Sequence, residues 1–156
     1  MLTLIVAMNQ EGGIGLDGTL PWHHSNDLKH FKKTTLNQKV VMGRKTLENM
    51  PKILEQRDIF CVTKQEKISL KSGQPITIIN DFEGFCKKHQ HSNSLYFIAG
   101  GGSIYKSALP YVTEMIVSFV DYEGDIDTYF PSFVFESFKI VNRKKMVDFE
   151  VVTYRR

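Results

Sequence analysis

Leu95-Tyr96-Phe97-Ile98-Ala99-Gly100-Gly101-Gly102-Ser103 is the stretch on which the fold of this chain turns. Five apolar residues in succession, too few for a buried helix, predict a strand over 94–99 covered on both faces. Three glycines end it. The residues from 103 to 109, stopped by Pro110, predict a helix that follows at once. A strand covered on both faces that runs directly into a helix is the repeating unit of a parallel sheet, because parallel neighbours need a crossover rather than a hairpin. The glycines let a ligand approach the backbone, and the helix start behind them favours an anion. A tight strand-to-helix turn without a ligand is the alternative.

The same alternation recurs outward from this unit. Leu2–Met8 is apolar apart from Thr3 and predicts a first buried strand. Further strands are expected over 39–42, 57–63, 75–79 and 115–120. Helices are expected over 26–35, capped by Ser25, from Gly43 to just before Pro51, and over 81–89, where Asn80 and Glu83 form a capping-box-like start. Strands over 135–143 and 148–154, joined by a short basic turn at Arg143-Lys144-Lys145, close the chain as a hairpin. The expected fold is α/β: one mostly parallel twisted sheet of about eight strands, helices on both faces, and a C-terminal antiparallel hairpin.

The 156 residues fit one domain, 1–156, able to bury a core without disulfide or metal staples. With 42% hydrophobic and 24% charged residues, the composition excludes a disordered chain, a collagen-like repeat and a disulfide scaffold. Net charge is +3, which favours anionic ligands without implying nucleic acid. Cys61 and Cys86 form no CxxC pair and fit a reducing compartment. The apolar N-terminus lacks a basic flank and reads as a strand, and no apolar stretch reaches membrane-spanning length. A cytoplasmic domain without membrane association is expected.

In parallel sheets, ligands bind beyond the carboxyl ends of the strands. Gly43-Arg44-Lys45-Thr46 lies at one such end and sets two cations at a helix start, where they oppose the dipole. A phosphate would explain them, with Lys64 joining from the next strand. Solvated surface cations are the alternative. Gly13-Ile14-Gly15-Leu16-Asp17-Gly18 fits G-x-G-x-x-G, but Thr19-Leu20-Pro21-Trp22 follows rather than a helix, so an irregular loop is expected. In Asp27-Leu28-Lys29-His30-Phe31-Lys32-Lys33, Leu28 and Phe31 mark the buried stripe and Asp27 shares it, while Lys29, His30, Lys32 and Lys33 fall outside. A carboxylate on such a stripe has its charged form disfavoured and is a candidate functional group. A dipole-stabilised first-turn acid is the alternative. Trp22, the only tryptophan, covers a pocket or fills a core corner. His23-His24 and His89-Gln90-His91 have no partner at ligand spacing, so no metal site is expected.

Taken in order, these runs resemble dihydrofolate reductase of the bacterial and phage-like type. The matching segments are Leu4-Ile5-Val6-Ala7, Ile14-Gly15, Leu20-Pro21-Trp22, Asp27-Leu28, Phe31-Lys32, Thr35-Leu36-Asn37 and Val40-Val41-Met42-Gly43-Arg44-Lys45-Thr46. They continue through Arg57, Ile98-Ala99-Gly100-Gly101-Gly102-Ser103-Ile104-Tyr105 and Asp127-Thr128-Tyr129-Phe130-Pro131. Each run is weakly specific, whereas the ordered set is highly so.

The resemblance implies reduction of 7,8-dihydrofolate to tetrahydrofolate by NADPH, with hydride to pterin C6 and a proton to N5. It assigns catalysis to Asp27 with Leu20 and Trp22. Ile5, Ala7, Leu28, Phe31, Met50, Leu54 and Ser118 would surround the substrate, and Arg57 would pair with its glutamate α-carboxylate. Ala7, Ile14, Gly15, Gly43, Arg44, Lys45, Thr46, Thr63, Lys64, Ala99, Gly100, Gly101, Gly102, Ser103, Ile104 and Tyr105 would hold the cofactor. A cis Gly100-Gly101 bond and a lid from Leu16 to Trp22 are also implied, as are antifolate inhibitors and a monomer. Leu20 stands where many members have Met, Ser103 where many have Arg, Lys64 where many have Ser, and Ser118 where Thr is usual. Ile53-Leu54-Glu55-Gln56 replaces Pro-Leu-Pro-Gly. A related NADPH-dependent pterin or pyrimidine reductase is the second reading, and a non-catalytic nucleotide- or nucleic-acid-binding module the third.

Overall fold

A computed structural model describes residues 1–17, 20–50, 55–68 and 73–156, with the side chains of 132–134 set aside. Its strands are β1 Leu2–Met8, β2 Gly13–Gly15, β3 Lys39–Gly43, β4 Asp58–Val62, β5 Ile76–Ile79, β6 Tyr96–Ile98, β7 Glu114–Val120, β8 Thr128–Tyr129, β9 Lys139–Lys145 and β10 Phe149–Arg155. Its α-helices are α1 Ser25–Thr35, α2 Arg44–Asn49, α3 Phe82–His89 and α4 Gly102–Ala108.

Eight strands form one sheet in the order β5-β4-β3-β6-β1-β7-β10-β9. The first six are parallel, and β10 and β9 continue antiparallel. The chain first builds outward from β1 through β3 to β5. It then returns to place β6 between β3 and β1, with Leu2 beside Tyr96 and Lys39 also beside Tyr96.

Alternation along β1 sorts the core into two layers. Leu2, Leu4, Val6 and Met8 pack with Phe82 and Cys86 of α3 and Tyr105 and Ala108 of α4. Ile5 points to the opposite face, where Val40, Met42, Cys61 and Phe97 meet Leu47 of α2 and Phe31 of α1. Helices therefore cover both faces, and period-two alternation decides which residue goes to which. Both cysteines are buried and free, and burial pushes the Cys86 thiol up to about 12, leaving it inert near neutrality.

The local expectations need four corrections. The cap of α1 is His24, and Ser25 is its first helical residue. Asp81 caps α3 by accepting from the Gly84 N–H, whereas the Asn80 amide donates to the carbonyls of Thr63 and Gln65. Residues Ser132–Ser137 form a 3₁₀ turn, so the hairpin starts later, and Arg143, Lys144 and Lys145 lie in β9 instead of the turn. The loop expected after β1 contains β2, which pairs with β8 in a second small sheet. These pieces are two or three residues long, too short for periodicity to register.

Candidate functional site

The carboxyl ends of β1, β3, β4, β6 and β7 open onto a single cleft of about 1290 Å³, lined by Ala7, Gly43, Thr63, Ala99 and Ser118 at those ends. Sites for one small molecule typically span ~300–1,000 Å³, so this cleft is larger than one small ligand requires. Its walls divide into two halves.

One half is formed by β1, β7 and α1. Asp27 is only 8% exposed, and Thr35 is the other buried residue of the helix. Burial raises the Asp27 pKa above the usual carboxylate value, and the Ser118 hydroxyl, donating to the carboxylate, partly offsets this. Ile5, Ala7, Leu28, Phe31 and Met50 supply apolar walls. Leu28 is 36% exposed, so the stripe read as buried is the one turned to the cleft. His30, expected outside, also lines the cleft. Its ring packs against Phe149 at 5.9 Å, and its Nε2 is buried without a hydrogen-bond partner among the described residues. Helical spacing missed it because Phe149 comes from β10, more than a hundred residues later. Burial also lowers the His30 pKa, opposed by the nearby Asp27 carboxylate. Trp22 tilts over Tyr122 at 5.4 Å, with its indole Nε1 likewise buried and unpaired.

The other half is built from backbone and cations. The Gly43 N–H donates to the Gly100 carbonyl at 2.9 Å, and the Ala99 N–H to Val41 at the same distance, joining the β3 and β6 ends. Gly100-Gly101 is cis and Gly100 has φ +121°. A Cβ on Gly101 would lie 2.9 Å from Thr46 Oγ1, and one on Gly102 would lie 3.0 Å from Thr128 Cγ2, so side chains would fill this cradle. Tyr105 is buried beneath it and donates from its hydroxyl to the Ile5 carbonyl at 2.8 Å, which ties α4 to β1. Arg44, Lys45, Lys64 and Ser103 stand at the rim with Thr46 and Ile104. Arg44 pairs with Glu48 at 3.6 Å, an exposed i,i+4 contact of small energy that leaves the guanidinium available. A glycine cradle ringed by cations fits a dinucleotide with phosphates.

The base of the 16–22 loop is held between the halves. The Asp17 N–H donates to Asp127 Oδ2 at 2.9 Å, and the Asp127 N–H to the Gly15 carbonyl at 3.0 Å. Leu20 is half exposed at the cleft mouth with Ile14 and Gly15.

Every expected site residue lines the cleft except two. Leu54 lies outside the described residues. Arg57 sits behind α1, where its Nε donates to Thr35 Oγ1 at 3.0 Å and its Nη1 and Nη2 donate to the carbonyls of Glu55 and Lys32. Arginine has five N–H donors, so one remains on each Nη. Sequence reasoning missed His24, Thr128 and Gln65, which also line the cleft.

A parallel sheet whose strand ends combine a glycine cradle ringed by cations with a buried carboxylate is the arrangement expected of a nucleotide-dependent α/β enzyme. Comparison with known proteins agrees. A family model described as dihydrofolate reductase matches residues 1–156. The dihydrofolate reductase of Mycoplasma genitalium is 43% identical over 129 residues, covering 80% of this chain and 81% of its own. Dihydrofolate reductase type 9 of Escherichia coli is 33% identical over 147 residues, covering 90% and 82%. The structure of dihydrofolate reductase from Enterococcus faecalis complexed with NADP(H) and RAB-propyl superimposes with a TM-score of 0.84. Its sequence identity is 26%, and the match covers 100% of this chain and 96% of that one. The chain belongs to the dihydrofolate reductase family.

Proposed function

We propose that this chain reduces 7,8-dihydrofolate to 5,6,7,8-tetrahydrofolate with NADPH, acting as a cytoplasmic monomer formed by one domain. The observation that carries this reading is Asp27: a carboxylate set by α1 into an apolar cleft, buried, with a raised pKa and one hydroxyl partner.

In that reading, Asp27 accepts from the 2-amino group and N3 of the pterin, a pair of donors matched to two carboxylate oxygens. Ile5, Ala7, Leu28, Phe31 and Met50 hold the rings and keep bulk water away, and Leu54 is proposed to extend that wall. Arg57 offers its two remaining N–H groups to the glutamate α-carboxylate, a bidentate geometry suited to guanidinium. The Gly43 and Gly100–Gly102 backbones, Thr46, Arg44, Lys45, Thr63, Lys64 and Ser103 hold the cofactor phosphates and ribose. Bound NADPH supplies the hydride. The protein's contribution is to hold pterin C6 in reach of it, to keep Asp27 charged toward the pterin so that N5 gains its proton, and to exclude water with Leu20 and Trp22. Hydride from NADPH at C6, leaving NADP+, and a proton that reaches N5 from solvent through a bound water together balance the reduction.

The test is loss of NADPH absorbance on adding dihydrofolate. Turnover that an antifolate blocks competitively supports the reading, and no turnover at micromolar enzyme refutes it.

A further inference from the structure

The first turn of α1 has an N-cap of unusual chemistry. Caps are mostly Ser, Thr, Asp or Asn, whose oxygens accept a hydrogen bond throughout the neutral range. Here the cap is His24, in extended backbone at φ −134° and ψ 93°, and its Nδ1 accepts the backbone N–H of Asp27 at 3.0 Å. A ring nitrogen accepts only when it carries no proton. The hydrogen of the neutral ring therefore sits on Nε2, which lies 3.3 Å from the Asp148 carbonyl and 3.6 Å from Asp148 Oδ1 in the β9–β10 turn. Phe149 meets the ring edge-on at 5.2 Å. The Asn26 amide donates to both Asp148 carboxylate oxygens, at 3.2 and 3.1 Å. The hairpin turn thus holds the imidazole, and the imidazole holds the amide of Asp27.

We propose that His24 is a proton-releasable positioning residue: neutral, it clips the backbone of Asp27 into register for the pterin, and protonated, it lets go. This rests on the reductase reading of Asp27. Among the described residues, the charged and titratable groups facing Asp27 and its cap are His30 on α1 and Asp148 on the hairpin turn, with His23 next in the chain and Lys33 of α1 and Lys144 of β9 acting on His30. Two uncharged neighbours are Ser118 of β7, bonded to Asp27, and Phe149 of β10, against the His24 ring. A proton on Nδ1 would point one donor at another, the Asp27 N–H, while the new charge is drawn to the Asp148 carboxylate. The ring then exchanges a cap for an ion pair with the turn. One of the first-turn N–H groups loses its acceptor beside the residue whose position matters most.

The first test reads the ring without activity. Long-range 1H–15N spectra of the whole protein should show His24 as the Nε2–H tautomer at pH 8, and the Asp27 amide should shift as that ring titrates. An Nδ1–H tautomer, or an Asp27 amide blind to the titration, overturns the proposal. The second test is the single-turnover hydride-transfer rate from pH 5.5 to 8.5. His24→Leu should slow it three- to tenfold at pH 8, and His24→Asn, whose side-chain oxygen caps without titrating, should recover most of that loss. The ratio of native to His24→Asn rate should fall at least threefold from pH 8 to 5.5. A flat ratio overturns the proposal, as does a Leu variant equal to the native enzyme. Should His24→Leu not fold, the Asn ratio and the spectra decide. A native chain without turnover refutes the reductase reading instead, and leaves the tautomer result standing.

Discussion

The half of the cleft beside α1 and the half beside α2 and α4 present different surfaces, and on the proposed reading they would recognise their ligands by different means. Beside α1, the cleft carries a buried side chain, Asp27 at 8% exposure, and Arg57, 9% exposed, sits behind the same helix without lining the cleft. Each is held by specific partners: Ser118 bonds the Asp27 carboxylate and His24 accepts its backbone N–H, while the Arg57 guanidinium donates to Thr35, Lys32 and Glu55. Beside α2 and α4, contact rests on backbone that only glycine allows, and the cations at the rim are partly exposed, Arg44 in an ion pair with Glu48. A buried charge interacts in a low-dielectric setting and has no water to replace a lost partner, whereas exposed cations are screened and share one task. Side-chain changes should therefore be costly in the first half and graded in the second.

The largest effect is expected at Asp27. Asp27→Asn should lower turnover about a hundred- to a thousandfold at pH 7.5. The residual rate should rise in acid, where solvent protonates the substrate, and steady-state rates from pH 5 to 8 check this. Native-like rates at neutral pH would break the contrast between the halves.

Arg57→Ala comes next. Loss of a charge-assisted pair to the glutamate tail should weaken dihydrofolate about 10–100-fold. A pterin lacking glutamate should bind as before, and titrating both ligands separates the outcomes. Equal losses would remove Arg57 from the tail and favour a pterin reductase instead.

Asp27→Asn should also stabilise the fold. The carboxyl pKa is raised in the folded protein, so its ionisation opposes folding once pH rises through that value. Near pH 7.5 the variant should melt about 2–4 °C higher, roughly 1 kcal/mol for a chain of this size. The gain should vanish below the ordinary carboxylate pKa of 3.8, where the group is protonated folded or unfolded. Thermal melts at the two pH values test the sign.

The smallest effects belong to the rim. Arg44→Ala or Lys64→Ala should raise KM for NADPH about two- to fivefold at low salt, shrinking toward unity near 0.5 M salt, as exposed charge pairs do. A fifty-fold, salt-insensitive loss at either would show that this half, too, depends on a buried ion pair.

Much of this was legible in the chain. The run 94–99 with its glycines identified the sheet type and marked a candidate cradle, with a ligand-free tight turn as the alternative, because glycine permits both the turn and a close approach of a ligand to the backbone. Asp27 was legible as a carboxylate on an apolar stripe. What spacing alone could not show was where that stripe points: Leu28 is partly exposed because it faces an open cleft. His30 was misplaced for a related reason, since its neighbour Phe149 belongs to a strand far away in sequence. His24 was invisible as a cap because imidazole caps are rare, and what orients it is the Asp148 turn.

By itself, then, the sequence determined the longer elements, their alternation and the residue types at each strand end, since these follow from contacts within a few residues, while β2, β8 and the 3₁₀ turn escaped it. Only the tertiary structure decided that β6 would insert between β3 and β1, bringing Gly100 against Gly43 and gathering five strand ends at one cleft. It alone brought the β9–β10 turn to the start of α1. Period-two and helical patterns specify which face of an element is buried, but not its partner. The partner is chosen by which arrangement pairs every buried strand edge and covers both faces of the sheet at once.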